Sequence, residues 1–225
     1  MKKHGRFCTL AAMALVLVIT AGVLGCRGRQ TARIMSQNEA DVVGSHQAGA
    51  AALDPLVDTA VANLLTKNAY QLHPAGFNSQ EPQKLRVCFV AFENRSIEEL
   101  GDWRDQLYFQ IEGCVNRSQQ YEMINRRFVD TGLQQLGMTP DKLFLPDARA
   151  QFSALMAQGG QPVDCLLYAT LTSGTTQSNR DFQRDYLMSL QLVNVTDGRS
   201  VSEQATLRKM YNKSAVAKTK QWLFF

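Results

Sequence analysis

Histidine is nearly missing from this chain of 225 residues: His4, His46 and His73 are the three, and none occurs from Pro74 to Phe225. A Ser-His-Asp or Cys-His arrangement within that long stretch is excluded unless His73 folds back onto it. A histidine-rich metal site is excluded by the same count. Gly-x-Ser-x-Gly and phosphate-cradling glycine loops are absent too, and Gly159-Gly160 has no lysine behind it. Nothing in the sequence asks for a cofactor or a metal.

Charge of one sign is also lacking. The chain has 24 Lys+Arg against 20 Asp+Glu, and setting aside Lys2, Lys3 and Arg6 leaves 21 against 20. No basic stripe marks a nucleic-acid surface. Of five cysteines, Cys8 and Cys26 lie near the N-terminus, which leaves Cys88, Cys114 and Cys165. Three widely spaced thiols define no disulfide framework. They read as buried small hydrophobes, with one disulfide and a leftover thiol as the alternative.

What is present begins with an address. Lys2, Lys3 and Arg6 precede an almost unbroken apolar run from Phe7 to Gly25, and Cys26 follows. The cationic end stays cytoplasmic while the apolar run enters the bilayer as a helix. Val23-Leu24-Gly25-Cys26 resembles the bacterial lipobox, in which the cysteine is lipidated and becomes the first mature residue. An uncleaved anchor is the competing reading, because the run is near the lower limit of about 17 residues for a span. Both place the remainder outside the cytoplasm, held to a membrane. Arg27 after the cysteine is similar to lipoproteins sent to the outer membrane, which implies that destination and a palmitate-bearing anchor.

Residues 1–25 are thus expected to be a signal peptide and 26–53, polar and rich in Ala and Gly, a lipidated flexible tether. Asp54 reads as an N-cap with Pro55 at the first helical position, and Leu56, Val57, Ala60, Val61, Leu64 and Leu65 make an apolar stripe. The spacing predicts a helix over about 55–68 and a loop to residue 76. From residue 84 a domain begins. Leu85 to Phe92 is a nearly continuous apolar run, as in a strand covered on both faces. Asp102 reads as the cap of a helix bearing Trp103, Leu107, Ile111 and Val115. Tyr121 to Ile124 predicts a short strand, and Asn125 a cap for a helix carrying Phe128, Val129, Leu133 and Leu136 up to Gly137. After Asp147 comes a further helix with Ala148, Phe152, Leu155 and Met156, stopped by Gly159-Gly160. Strands are expected over 164–172, 182–195 and 201–211, with Asp197-Gly198 turning the last hairpin. The order predicts an α/β fold: a mixed β-sheet with covering helices and a C-terminal β-hairpin.

Several of these segments are similar to one known family. Val87 to Ser96, Tyr121 to Asn125, Leu136 to Pro140, Val163 to Ala169 and Met188 to Gly198 resemble the LpoB family of penicillin-binding protein activators, over about residues 84–211. Asn94-Arg95-Ser96 is similar to the family's turn after the first strand, and Asp197-Gly198 to its hairpin. The tether here has no proline between Cys26 and Asp54, and Val201-Ser202 stands where the family carries a tryptophan. The resemblance implies a lipoprotein, not an enzyme, that binds a class A penicillin-binding protein and stimulates peptidoglycan synthesis. The alternative it leaves is an envelope-assembly or secretion accessory lipoprotein of related fold. Contact residues are expected in the loop after the first strand and the start of its helix: Asn94, Arg95, Glu98, Glu99 and Arg104. The acidic members of that loop also suit plain capping and solvation. The tail, 212–225, is basic but ends Trp222-Leu223-Phe224-Phe225. Trp222, Phe224 and Phe225 supply aromatic anchors for a partner unless they pack on their own domain.

Overall fold

The long apolar run at residue 85 becomes the second strand of a five-stranded sheet because both of its faces are covered. The computed structural model describes residues 48–67, 84–178 and 181–212, all within a unit spanning Ala40–Phe225. The signal, most of the tether, His73 with its loop, and the tail from residue 213 lie outside the described residues. The elements are α1 (Ala50–Lys67), β1 (Leu85–Arg95), α2 (Trp103–Arg117), β2 (Tyr121–Ile124), α3 (Arg126–Gln135), a 3-10 turn (Pro140–Phe144), α4 (Pro146–Gln158), β3 (Cys165–Ser178), β4 (Asp181–Asn194) and β5 (Ser200–Asn212). The strand order is β2-β1-β3-β4-β5. β1 runs parallel to β2 and β3, and β4 and β5 continue antiparallel, so the sheet is mixed and ends in the expected hairpin.

Each face of the sheet carries its own core. One is packed by α1 and α2, with Leu56, Val57, Leu107 and Ile111 against Val87, Phe89, Leu167 and Leu190. The other is packed by α3 and α4, with Val129, Phe152 and Met156 against Cys88, Ile124, Leu166 and Val193. Fully burying one such side chain stabilises the fold by about 1.5–3 kcal/mol. A bulge in β1 sits between Phe89 and Ala91, where Phe89 pairs with Leu167 and Ala91 with Tyr168. The extra residue re-aims the strand, so Phe92 returns to the α1/α2 core.

Local details depart from the sequence reading in four places. Helix α1 starts at Ala50, five residues before Pro55, and Gly49 O accepts from the amides of Ala52 and Leu53. Leu53 is fully buried, which extends the apolar stripe one turn back and outweighs the proline. Asp54 is therefore inside the helix and not its cap. Asp102 has helical backbone angles and makes no capping bond; the amides of Trp103 and Arg104 donate to Leu100 O and Gly101 O instead. Phe128 points to solvent, 51% exposed, because Val129 and Leu133 already fill the face of α3 that meets the sheet. β3 continues past residue 172 through Gly174 to Ser178, a polar run paired along its whole length with β4. The Asn125 cap is present, its Oδ1 accepting from the Arg127 amide at 2.9 Å.

Candidate protein-binding surface

The loop after β1 divides the expected contact residues into two kinds. Asn94 turns inward on the loop itself: its Oδ1 accepts from the Ser96 amide at 3.0 Å and from Ser96 Oγ at 2.6 Å, and its Nδ2 donates to Glu98 O at 2.7 Å. Its side-chain amide is spent on shaping the turn. Glu98 is buried, 9% exposed. The Tyr186 hydroxyl donates to its Oε1 at 2.6 Å, and Arg184 forms an ion pair with the same oxygen at 2.6 Å. Burial works against the charged form, but bonds from Tyr186, the Ala48 amide and Arg184 outweigh it and hold the carboxyl below its ordinary range. Arg95, Glu99 and Arg104 are exposed. Arg95 reaches back to Glu93 at 2.7 Å. The structure thus brings Arg95 and Arg104 to the surface at one end of the sheet and turns Asn94 and Glu98 to folding it. Cys26, Trp222, Phe224 and Phe225 fall outside the described residues.

Beside the β1 bulge a small open crevice of about 80 Å³ is lined by Phe89, Ala91, Arg104, Tyr108, Arg126 and Pro140 among others. The bulge opens this space, and the first turns of α2 and α3 supply its walls. The Tyr108 ring stacks on Phe89 with centroids 4.6 Å apart, and the Arg126 guanidinium lies 4.7 Å from the Tyr108 centroid. Such a cation over a ring is attracted by about 0.5–1 kcal/mol at an exposed site. Arg126 is also held by Asp105 at 3.3 Å and Asp130 at 3.4 Å. Arg104 makes no ion pair among the described residues. Burial pushes the Tyr108 phenol above its ordinary range.

From the crevice an aromatic ledge continues. Pro140 O accepts from the Tyr168 hydroxyl at 3.3 Å, and Tyr168 stacks on Phe144 with centroids 4.7 Å apart. Phe144 is 45% exposed and the neighbouring Leu145 60%. Arginine and aromatic side chains around a concave apolar floor are the composition in which protein interfaces concentrate their affinity. Of the side chains around the crevice and ledge, the sequence reading names Arg104 as an expected contact and does not name Tyr108, Arg126, Pro140 or Phe144. The signal for the last was an apolar triple, Leu143-Phe144-Leu145, standing between helices where a connecting turn is ordinarily polar.

The second motif of the family resemblance lies elsewhere. Arg95 at the end of β1 pairs with Thr172, whereas the hairpin follows Asn194, which pairs with Cys165 at the start of β3. The two motifs therefore occupy opposite ends of the sheet. The hairpin is a four-residue loop and not a two-residue turn: the Asn194 amide donates to Arg199 O at 2.8 Å and the Gly198 amide to Asn194 O at 3.0 Å. Gly198 has φ of 72°, and the buried Arg149 guanidinium presses against it.

Reactive groups on the described residues are muted. Burial pushes Cys88 and Cys165 up to about 12, and burial followed by the Asp58 carboxylate pushes Cys114 up to about 11. All three are free thiols. No group of three or more His, Cys, Asp or Glu able to hold a metal ion occurs among the described residues. Fold and surface together define a mixed α/β domain with an arginine- and aromatic-rimmed crevice. No protein-family model matches the chain, and no curated protein matches it in sequence. Among solved structures it is similar to the C-terminal domain of LpoB from Salmonella enterica, at 14% identity and TM-score 0.42, covering 69% of this chain and 97% of that one. The Escherichia coli domain gives 14% identity and TM-score 0.45 over 69% and 97%. A lipoprotein from Neisseria meningitidis gives 20% identity and TM-score 0.40 over 62% of this chain and 92% of its own.

Proposed function

We propose that this chain is an outer-membrane lipoprotein, anchored through Cys26 and facing the periplasm, that binds a class A penicillin-binding protein and thereby stimulates peptidoglycan synthesis without catalysing a step. The observation that carries a binding role is the crevice with its arginine and aromatic rim. The choice of partner rests on the segments that resemble the activator family. An apolar side chain of the partner enters the crevice against Phe89 and Tyr108, while Arg104 and Arg95 flank it and Phe144 packs outside. Glu99, Trp222, Phe224 and Phe225 extend the proposed contact; Asn94 and Glu98 position the loop. A stable interface needs about 800 Å² per partner, so the ledge and the loop act together with the crevice.

Crosslinked pull-down from native membranes tests this with the wild type, Arg104→Glu and Phe144→Ser. A penicillin-binding protein recovered with the wild type and lost from both variants is expected, together with higher synthase activity when the purified lipoprotein is added. Recovery of secretion or assembly proteins instead, with unchanged synthase activity, refutes the activator reading. Mass spectrometry of the mature protein checks the anchor, which Cys26→Ser removes.

A further inference from the structure

Ala48, where the described chain enters the domain, and Glu98, in the loop after β1, are distant in sequence, yet one carboxylate joins them. Glu98 accepts from the Tyr186 hydroxyl and pairs with Arg184, both at 2.6 Å, and the Ala48 amide donates to the same carboxylate. One residue further on, Gly49 O opens α1 by accepting from Ala52 and Leu53. On the other side the loop is drawn tight around the same residue. Glu98 O accepts from Asn94 Nδ2 at 2.7 Å, the Glu98 amide donates to Ser96 Oγ at 3.2 Å, and the Ile97 amide donates to Ser173 Oγ at 3.0 Å. Arg184 in turn donates from Nε to Thr175 Oγ1 at 3.2 Å, within the paired extension of β3 and β4. The start of α1, the loop and the sheet extension therefore meet at a single side chain.

A buried ion pair is a weak source of net stability, because desolvation offsets its attraction, but it enforces one arrangement of the groups around it. Here those groups belong to three separate segments. We infer that Glu98 is a latch coupling the chain entering α1 to the loop that carries Arg95, so that displacing either end loosens the other. Coupling of this kind is reciprocal, and the reciprocity is what distinguishes it from two contacts that happen to be neighbours. The inference does not depend on which partner the loop meets.

Hydrogen exchange read by mass spectrometry on the full chain tests it with two substitutions placed at opposite ends. Ala48→Pro deletes the one amide donor that Glu98 takes from the start of α1, ahead of the first helical hydrogen bond, and alters no residue of the loop itself. It is expected to speed exchange at Ser96, Ile97 and Glu98 several-fold. Glu98→Gln is expected to speed exchange at Ala52 and Leu53, whose amides are bonded to Gly49. If Glu98→Gln does not fold, Tyr186→Phe removes one donor from the node and must loosen both segments in step. Ala48→Pro confined to the start of α1, or a Glu98 or Tyr186 substitution confined to the loop, overturns the latch.

Discussion

Replacing Gly198 with alanine separates two costs that the hairpin imposes on one position. The first is conformational: at φ of 72° a Cβ crowds the backbone, which costs about 1–2 kcal/mol. The second is steric. A Cβ built there stands 2.5 Å from Arg149 Nη2 and 3.0 Å from Cζ, so the guanidinium must move. Arg149 is only 6% exposed, and it donates to Val195 O at 3.0 Å and to Phe144 O at 3.2 Å. Weakening one hydrogen bond from a buried charged group costs about 1.5–3 kcal/mol. Gly198→Ala is therefore expected to destabilise the protein by about 2.5–5 kcal/mol, the sum of the two effects. Gly160 supplies the control: its φ is 73° and nothing lies within 4 Å of its would-be Cβ. Gly160→Ala should cost only the conformational part, about 1–2 kcal/mol. Urea unfolding followed by circular dichroism measures both, with the slope unchanged if the unfolded state is the same. Equal losses for the two variants, or a Gly198→Ala loss within about 0.5 kcal/mol of wild type, refutes the role assigned to Arg149.

Two further expectations concern titrating groups. Because the folded protein holds Glu98 below its ordinary range, its contribution is complete above that range and disappears as the pH falls through the depressed value. Glu98→Gln should cost about 3 kcal/mol at neutral pH, and urea midpoints should converge with wild type in strong acid; a gap that widens in acid contradicts the geometry. For the thiols, maleimide labelling at neutral pH, located by mass spectrometry, should reach the partly exposed Cys114 first and slowly, and Cys88 and Cys165 only after unfolding. Native labelling of Cys88 before Cys114 would count against the buried strand positions.

The sheet was legible because its signals are local. Leu85 to Phe92 reads as a strand covered on both faces, and Tyr186, Met188, Leu190 and Leu192 fall on one face by simple alternation, all of them buried. Asn125 announced its own cap. Misreadings came where distant burial outweighs local chemistry: Leu53 draws α1 back past Pro55, and Gly174 to Ser178 is held in β3 by its pairing with β4 and not by its own composition. The surface was legible only in part for the same reason. A loop sequence lists polar residues but not their direction. Glu98 points inward because Arg184 and Tyr186 wait on β4, and Phe144 points outward beside Tyr168. Nothing near Glu98 in sequence carries that information, and the apolar triple around Phe144 marks an unusual turn without giving its direction.

The strand order also dictates a timetable. β1 is made early, but one neighbour, β3, and the strands that complete its layer, β4 and β5, are made last. Helix α1, the first element synthesised among those described, buries its stripe in a core that includes Tyr186, Met188 and Ala205. Until those late residues exist, the early half has a sheet edge with no strand to pair and a helix with no floor, and pairing across so long an interval is slow to nucleate. A growing chain with this topology cannot complete its sheet or close either core until its final third has been delivered.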